Sequence, residues 1–129
     1  MRVLLDTQCW LWMAAAPERF SVSSRALIEN TDNELYLSAA SAWEIAIKHS
    51  LGKLRLPEAP LRYLPARMDT LRTLALSVEH AHALQVSMLP AHHRDPFDRL
   101  LIAQAQIEGL PVLTADRVFD QYDVATIHA

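Results

Sequence analysis

The sequence predicts an α/β fold, with a central, mostly parallel sheet of four to five strands and helices on both faces, three layers in all. Three observations carry this. Short apolar runs of strand length alternate with helical segments along the whole chain. Glycine is scarce, with only Gly52 and Gly109, which argues against a small all-β fold rich in tight turns. Hydrophobic residues make up 51% of the chain and charged residues 21%, a balance that supports a packed core rather than disorder. Strands alternating with helices imply right-handed crossovers, and ligands in such sheets sit beyond the carboxyl ends of the strands.

Residues 1–5 read as a buried strand built on Val3, Leu4 and Leu5, ending at Asp6-Thr7. A short helix over 9–15 follows and is stopped by Pro17. Serines at 21, 23 and 24 offer caps for a helix over 23–29, and 31–33 is a turn. Residues 34–38 form the second strand. Ser38 or Ser41 then caps a helix over 42–50, which Gly52 ends. Residues 54–57 are an extended link, and 60–68 a helix whose continuity Pro65 opposes. The third strand spans 71–76, Ser77 caps a helix over 78–88, and 90–95 is a polar loop. The clearest helix is 96–108: Asp95 stands at the cap, Pro96 at the first helical position and Gly109 beyond the end. Residues 111–114 are the fourth strand, 116–120 a single turn and 124–128 an edge strand. A length of 129 residues fits one domain over 1–129.

The formal charge of −3 gives no general attraction for nucleic acid, although a local basic rim or a bound cation can reverse the field near a site. The single cysteine, Cys9, allows no internal disulfide and fits a reducing compartment. Asp6 and Gln8 interrupt the apolar core that a signal peptide requires, and no apolar run has the length of a membrane span. The expectation is a cytoplasmic protein with no membrane association.

Four acids far apart in sequence are predicted to meet at one sheet edge. Asp6 directly follows the first strand, and Asp116 lies two residues beyond the fourth. Glu44 falls near the start of the helix after strand two, and Asp98 in the first turn of the helix after Pro96. Converging carboxylates repel one another, and a hard divalent cation relieves that conflict. Oxygen-only ligation suits Mg2+ or Mn2+, as one ion or two. No CxxC or HExxH spacing supports zinc.

Simpler roles compete for each residue. From position alone, Asp6 and Asp116 suit helix caps as well as a site. Glu44 stands four residues before Lys48, the spacing of a surface ion pair. Asp95 is first of all a cap, with metal ligation a secondary role, and Asp98 at the third helical position also favours the helix dipole. His92, His93 and Arg94 form either a solvated loop or a phosphate-facing rim, with Lys48, Lys53 and Arg99 as further rim candidates. Trp10, Trp12 and Trp43 read as core residues rather than base-stacking platforms. Cys9 lacks the partners of a thiol nucleophile.

Val3-Leu-Leu-Asp6-Thr7, Ser41-Ala-Trp-Glu44-Ile45, Asp98-Arg-Leu-Leu-Ile-Ala103-Gln-Ala105 and Leu113-Thr-Ala-Asp116 together resemble, in order and spacing, the acidic motifs of PIN domains. The chain is similar to the VapC-like toxins of bacterial type II toxin–antitoxin pairs, and the run from His93 to Asp98 looks typical of one branch of them. The resemblance covers essentially the whole chain. It implies a three-layer PIN-like α/β/α nuclease domain, Mg2+- or Mn2+-dependent endoribonuclease activity, a homodimer, and a cognate antitoxin whose C-terminal segment occupies or distorts the active site. It carries over Asp6, Glu44, Asp98 and Asp116 as the acidic set. Thr7 and Thr114 match hydroxyl positions that orient carboxylates or water. Asp95 is an extra acid that many relatives lack. The reaction so implied is in-line hydrolysis of an RNA phosphodiester. Two rivals stand beside it. One is a phosphatase or phosphotransfer domain with Asp6 as nucleophile, although Gln8 stands where such enzymes usually carry a second Asp. The other is a non-catalytic interaction domain of the same fold.

Overall fold

The computed structural model describes residues 1–129. Five strands form one sheet: β1 (Arg2–Leu5), β2 (Glu34–Ser38), β3 (Thr73–Leu76), β4 (Val112–Thr114) and β5 (Thr126–His128). Their order is β3-β2-β1-β4-β5, and every neighbouring pair is parallel. Six helices connect them: α1 (Thr7–Ala15), α2 (Val22–Glu29), α3 (Ala39–Ser50), α4 (Pro60–Leu71), α5 (His80–Gln85) and α6 (Pro96–Glu108). No helix is long and apolar enough to cross a membrane.

The layers follow from strand alternation. In β1, Val3 and Leu5 point to one face and pack with Trp10 and Met13 of α1 and with Tyr63 and Leu64 of α4. Leu4 points to the other face, against Leu101, Ile102 and Ala105 of α6 and Phe119. A central strand buried on both faces must be apolar throughout, and Val3, Leu4 and Leu5 are fully buried. α3 spans the two layers at the sheet end, with Ala40 in one core and Ile45 in the other.

Four boundaries differ from the sequence expectation. α3 begins at Ala39, with Ser38 as its cap: the Ser38 hydroxyl accepts from the Ala40 amide at 3.0 Å and donates to the buried Gln104. Glu44 therefore stands in the second turn, not the first. α4 runs through Pro65 to Leu71, because the carbonyl left free by the proline belongs to Leu61, itself exposed in the first turn. Arg72 then reverses the chain with φ 57°, so β3 starts only at Thr73. The helix expected over 78–88 is broken into α5 and a 3-10 turn at Val86–Met88, and its cap is Glu79, not Ser77. The His82 imidazole accepts from the Glu79 amide at 2.9 Å and fixes that start.

Parallel pairing sets every strand's carboxyl end on one side. The β1–β4 ladder extends one step to the Asp6 amide, which donates to the Leu113 carbonyl at 3.0 Å. Asp6, Thr114 and Asp116 are thereby held at one edge.

Candidate metal centre

A cleft of about 320 Å³ opens at that edge, lined by Asp6, Glu44, Asp95, Asp98 and Asp116, with Thr7, Gln8, Lys48 and Lys53. The five carboxylates come from four separate stretches of chain. They outnumber the two ammonium groups in the cleft, so the local field is strongly negative.

Asp6 is 6% exposed and caps α1: one oxygen accepts from the Cys9 amide at 3.1 Å. Its other oxygen accepts from the Thr114 hydroxyl. That hydroxyl also accepts from the Asp116 amide at 2.9 Å, so Thr114 ties the two acidic loops together. Asp116 caps the 3-10 turn Arg117–Gln121 through Oδ1, which leaves Oδ2 toward the cleft. Helix capping and cleft lining thus fall on the same side chains, because a cap residue at a strand end already stands at the sheet edge.

Asp95 caps α6, accepting from the amides of Phe97 at 2.8 Å and Asp98 at 3.2 Å. Asp98 follows in the first turn and faces the cleft. Glu44 is 5% exposed; its Oε2 is bonded by Lys48, while Oε1 is buried with no hydrogen-bond partner. The ion pair expected at i,i+4 therefore forms, inside the cleft rather than on the surface.

Protonation follows from this crowding. Burial, then the charges of Asp95, Asp6, Glu44 and Asp116, push the Asp98 carboxyl up to about 8. Burial also raises Asp6, opposed by the Thr114 hydrogen bond. Lys48 is raised by its bond to Glu44 and stays an ammonium. Burial pushes the Cys9 thiol upward, which leaves it inert as a nucleophile.

His93 occupies a place that the sequence did not signal. Its Nε2 lies 2.9 Å from Asp98 Oδ2 and 3.1 Å from Asp116 Oδ2. Its Nδ1 accepts from the Asp95 amide at 3.2 Å, so the ring proton sits on Nε2 and is shared between the two acids. Ligand atoms of His93, Asp98 and Asp116 lie within 4.8 Å of one another. The loop turns inward because the His92 and His93 amides donate to the Tyr122 hydroxyl at 3.1 and 2.7 Å.

The other rim candidates divide. Lys48, Lys53 and Thr7 line the cleft, the last donating to Ser41 at 2.8 Å rather than to a carboxylate. Thr114 is fully buried behind Asp6 and presents no surface to a substrate. Arg99 points elsewhere: its guanidinium donates to the carbonyls of Pro90 at 3.0 Å and Val86 at 3.2 Å, bracing the loop from behind. Arg94 is exposed outside the cleft lining. Trp10 is fully buried as expected, but Trp43 is 61% exposed.

The donor set fits a hard divalent cation. It offers several carboxylate oxygens on rigid helix starts, and the unpartnered Glu44 Oε1 is an acceptor that a cation would satisfy.

A family model for the PIN domain matches residues 3–125. Ribonuclease VapC22 of Mycobacterium tuberculosis is 32% identical over 115 residues, covering 89% of this chain and 87% of that protein. Ribonuclease VapC16 of the same organism is 44% identical over 79 residues, a match that spans 55% of this chain and just over half of that protein, 56%. Among solved structures, VapBC2 from Rickettsia felis, bound to a DNA fragment from its promoter, has a chain that superposes with a TM-score of 0.74 at 15% identity, covering 99% of this chain and 98% of its own. A chain of DNA-bound VapBC from Salmonella typhimurium gives 0.70 at 18% identity, with coverage of 99% and 98%. At such identities these structures establish the shared fold.

Proposed function

The chain belongs to the PIN-domain family, and from that premise we propose that it is a divalent-metal-dependent endoribonuclease acting as the toxin of a type II toxin–antitoxin pair. The observation that carries the reading is the convergence of Asp6, Glu44, Asp98 and Asp116 on one cleft beyond the carboxyl ends of parallel strands. The two relatives are named as ribonucleases, which supports RNA as the substrate. The structural neighbours are toxin–antitoxin complexes, which supports a cognate antitoxin as partner. A homodimer and a cytoplasmic location complete the reading, on the family expectation.

Asp6, Glu44, Asp98 and Asp116 would hold one or two ions of Mg2+ or Mn2+, with Asp95 adding charge from the α6 cap. When bound, such an ion supplies Lewis-acid charge to the phosphodiester and makes water a nucleophile near neutral pH. The chain's own groups do the rest. Thr114 and the Cys9 amide fix the Asp6 carboxylate in one orientation. Lys48 and Lys53 offer positive charge to an entering phosphate. His93 holds a proton on Nε2 between Asp98 and Asp116, where it orients both. With both oxygens of Asp6 already engaged and Gln8 two residues on, the phosphotransfer alternative has no free nucleophile.

The purified protein is expected to cleave single-stranded RNA with Mn2+ and to lose that cleavage in EDTA. Asp6→Asn is expected to reduce the rate at least a hundredfold. Equal cleavage with and without the chelator, or full activity in Asp6→Asn, rejects the proposal.

A further inference from the structure

Two aromatic side chains flank the acidic cleft, and none of the chemistry above uses them. Trp43 immediately precedes Glu44 in α3, and Phe97 immediately precedes Asp98 in α6. One residue along an α-helix turns about 100°, so each aromatic stands beside its acid on the adjoining face. The two rings meet across the α3–α6 seam with centroids 5.2 Å apart and planes at 77°. This edge-to-face contact braces the indole, yet Trp43 remains 61% exposed while Phe97 is half-buried. Trp10 and Trp12 lie instead on or against the core.

We propose that Trp43, braced by Phe97, is a stacking platform for a nucleobase of the substrate next to the scissile phosphate. This rests on the ribonuclease reading above. A phosphodiester in the cleft must carry its flanking bases out past the rim, and the rim between Glu44 and Asp98 offers them an indole. Stacking on an exposed aromatic is how unpaired bases are held, and it discriminates single strands from paired ones, whose bases are already stacked. Lys48, one helical turn beyond Glu44, adds charge for the adjoining phosphate. Trp43 would thus select unpaired RNA and set the register of the cut.

The test compares wild type with Trp43→Ala and Trp43→Phe. On a single-stranded RNA, Trp43→Ala is expected to raise KM about tenfold with kcat nearly unchanged, and Trp43→Phe to restore most of the loss. An abasic site walked along the RNA should raise the wild-type KM at one position near the cut and add little in Trp43→Ala. Indole fluorescence gives a readout independent of cleavage: a single-stranded oligonucleotide should quench wild type and leave Trp43→Phe unquenched. Cleavage without quenching, or an unchanged KM in Trp43→Ala, overturns the platform and spares the ribonuclease reading. Quenching without cleavage spares the platform and sinks that reading. A change of assembly state in sedimentation of Trp43→Ala, with KM and quenching unaffected, assigns this face to a second copy of the chain and overturns the proposal.

Discussion

Asp98 carries the largest electrostatic load in the cleft. Its carboxyl is raised from 3.8 to about 8, by burial first and by four neighbouring carboxylates after it. In metal-free protein the folded state therefore keeps a proton that the unfolded chain releases from about pH 4 upward. A raised carboxyl makes the folded state bind more protons than the unfolded one, so stability falls as pH rises between those two values. The melting temperature in chelator is expected to be lower near pH 8 than near pH 5. Asp98→Asn should flatten that dependence and melt higher than wild type at the upper pH. A melting temperature rising with pH in chelator would contradict this. His93 shows the limit of reading single residues. As part of His92-His93-Arg94 it looked like a solvated or phosphate-facing rim, and only the inward turn of the loop onto Tyr122 aims its Nε2 between two acids.

At the level of elements, α6 has the most completely specified start. Asp95 accepts from two amides, Pro96 occupies the first helical position, and Gly109 ends the helix at φ 67°. The cap and the charge of Asp95 can be separated. Asp95→Asn keeps an acceptor for the cap and removes a charge beside Asp98, so stability is expected to be equal or slightly higher. Asp95→Ala loses the cap and should cost about 1 kcal/mol. Urea denaturation of both variants checks this, and equal losses would show that capping is not what Asp95 contributes. α3 illustrates why helix starts were harder to place elsewhere. Ala39 and Ala40 carry no boundary signal, and the choice of Ser38 over Ser41 as cap is fixed by a long-range bond to Gln104 of α6. Similarly α4 continues through Pro65 because packing of its apolar face outweighs one lost backbone bond.

For the whole molecule, the cleft sets stability against function. Five carboxylates crowd one end of an otherwise well-packed sheet, and their repulsion is carried by the two cores on its faces. A ligand that binds only the folded state stabilises it by mass action, about 2.7 kcal/mol at a hundredfold excess over its dissociation constant. For a chain of this size, saturating Mn2+ is expected to raise the melting temperature by roughly 10 °C over the chelated protein. Glu44→Gln should shrink that gain, since it weakens the buried acceptor that lacks a partner. Calorimetry with and without cation checks both, and an unchanged melting temperature would argue against a metal at this site.

The sequence by itself determined the α/β class, the parallel sheet, and the gathering of Asp6, Glu44, Asp98 and Asp116 at one edge. These rest on local and periodic signals: apolar runs, caps, and acids placed just beyond strands or at helix starts. The tertiary structure alone decided how the polar groups are shared out. It put Thr114 behind Asp6, Arg99 behind the loop, His93 between two acids, and Trp43 in solvent beside the cleft. Those outcomes depend on contacts between residues far apart in the chain. Whether a side chain is buried, paired or exposed is set by what packs against it, and no local pattern carries that information.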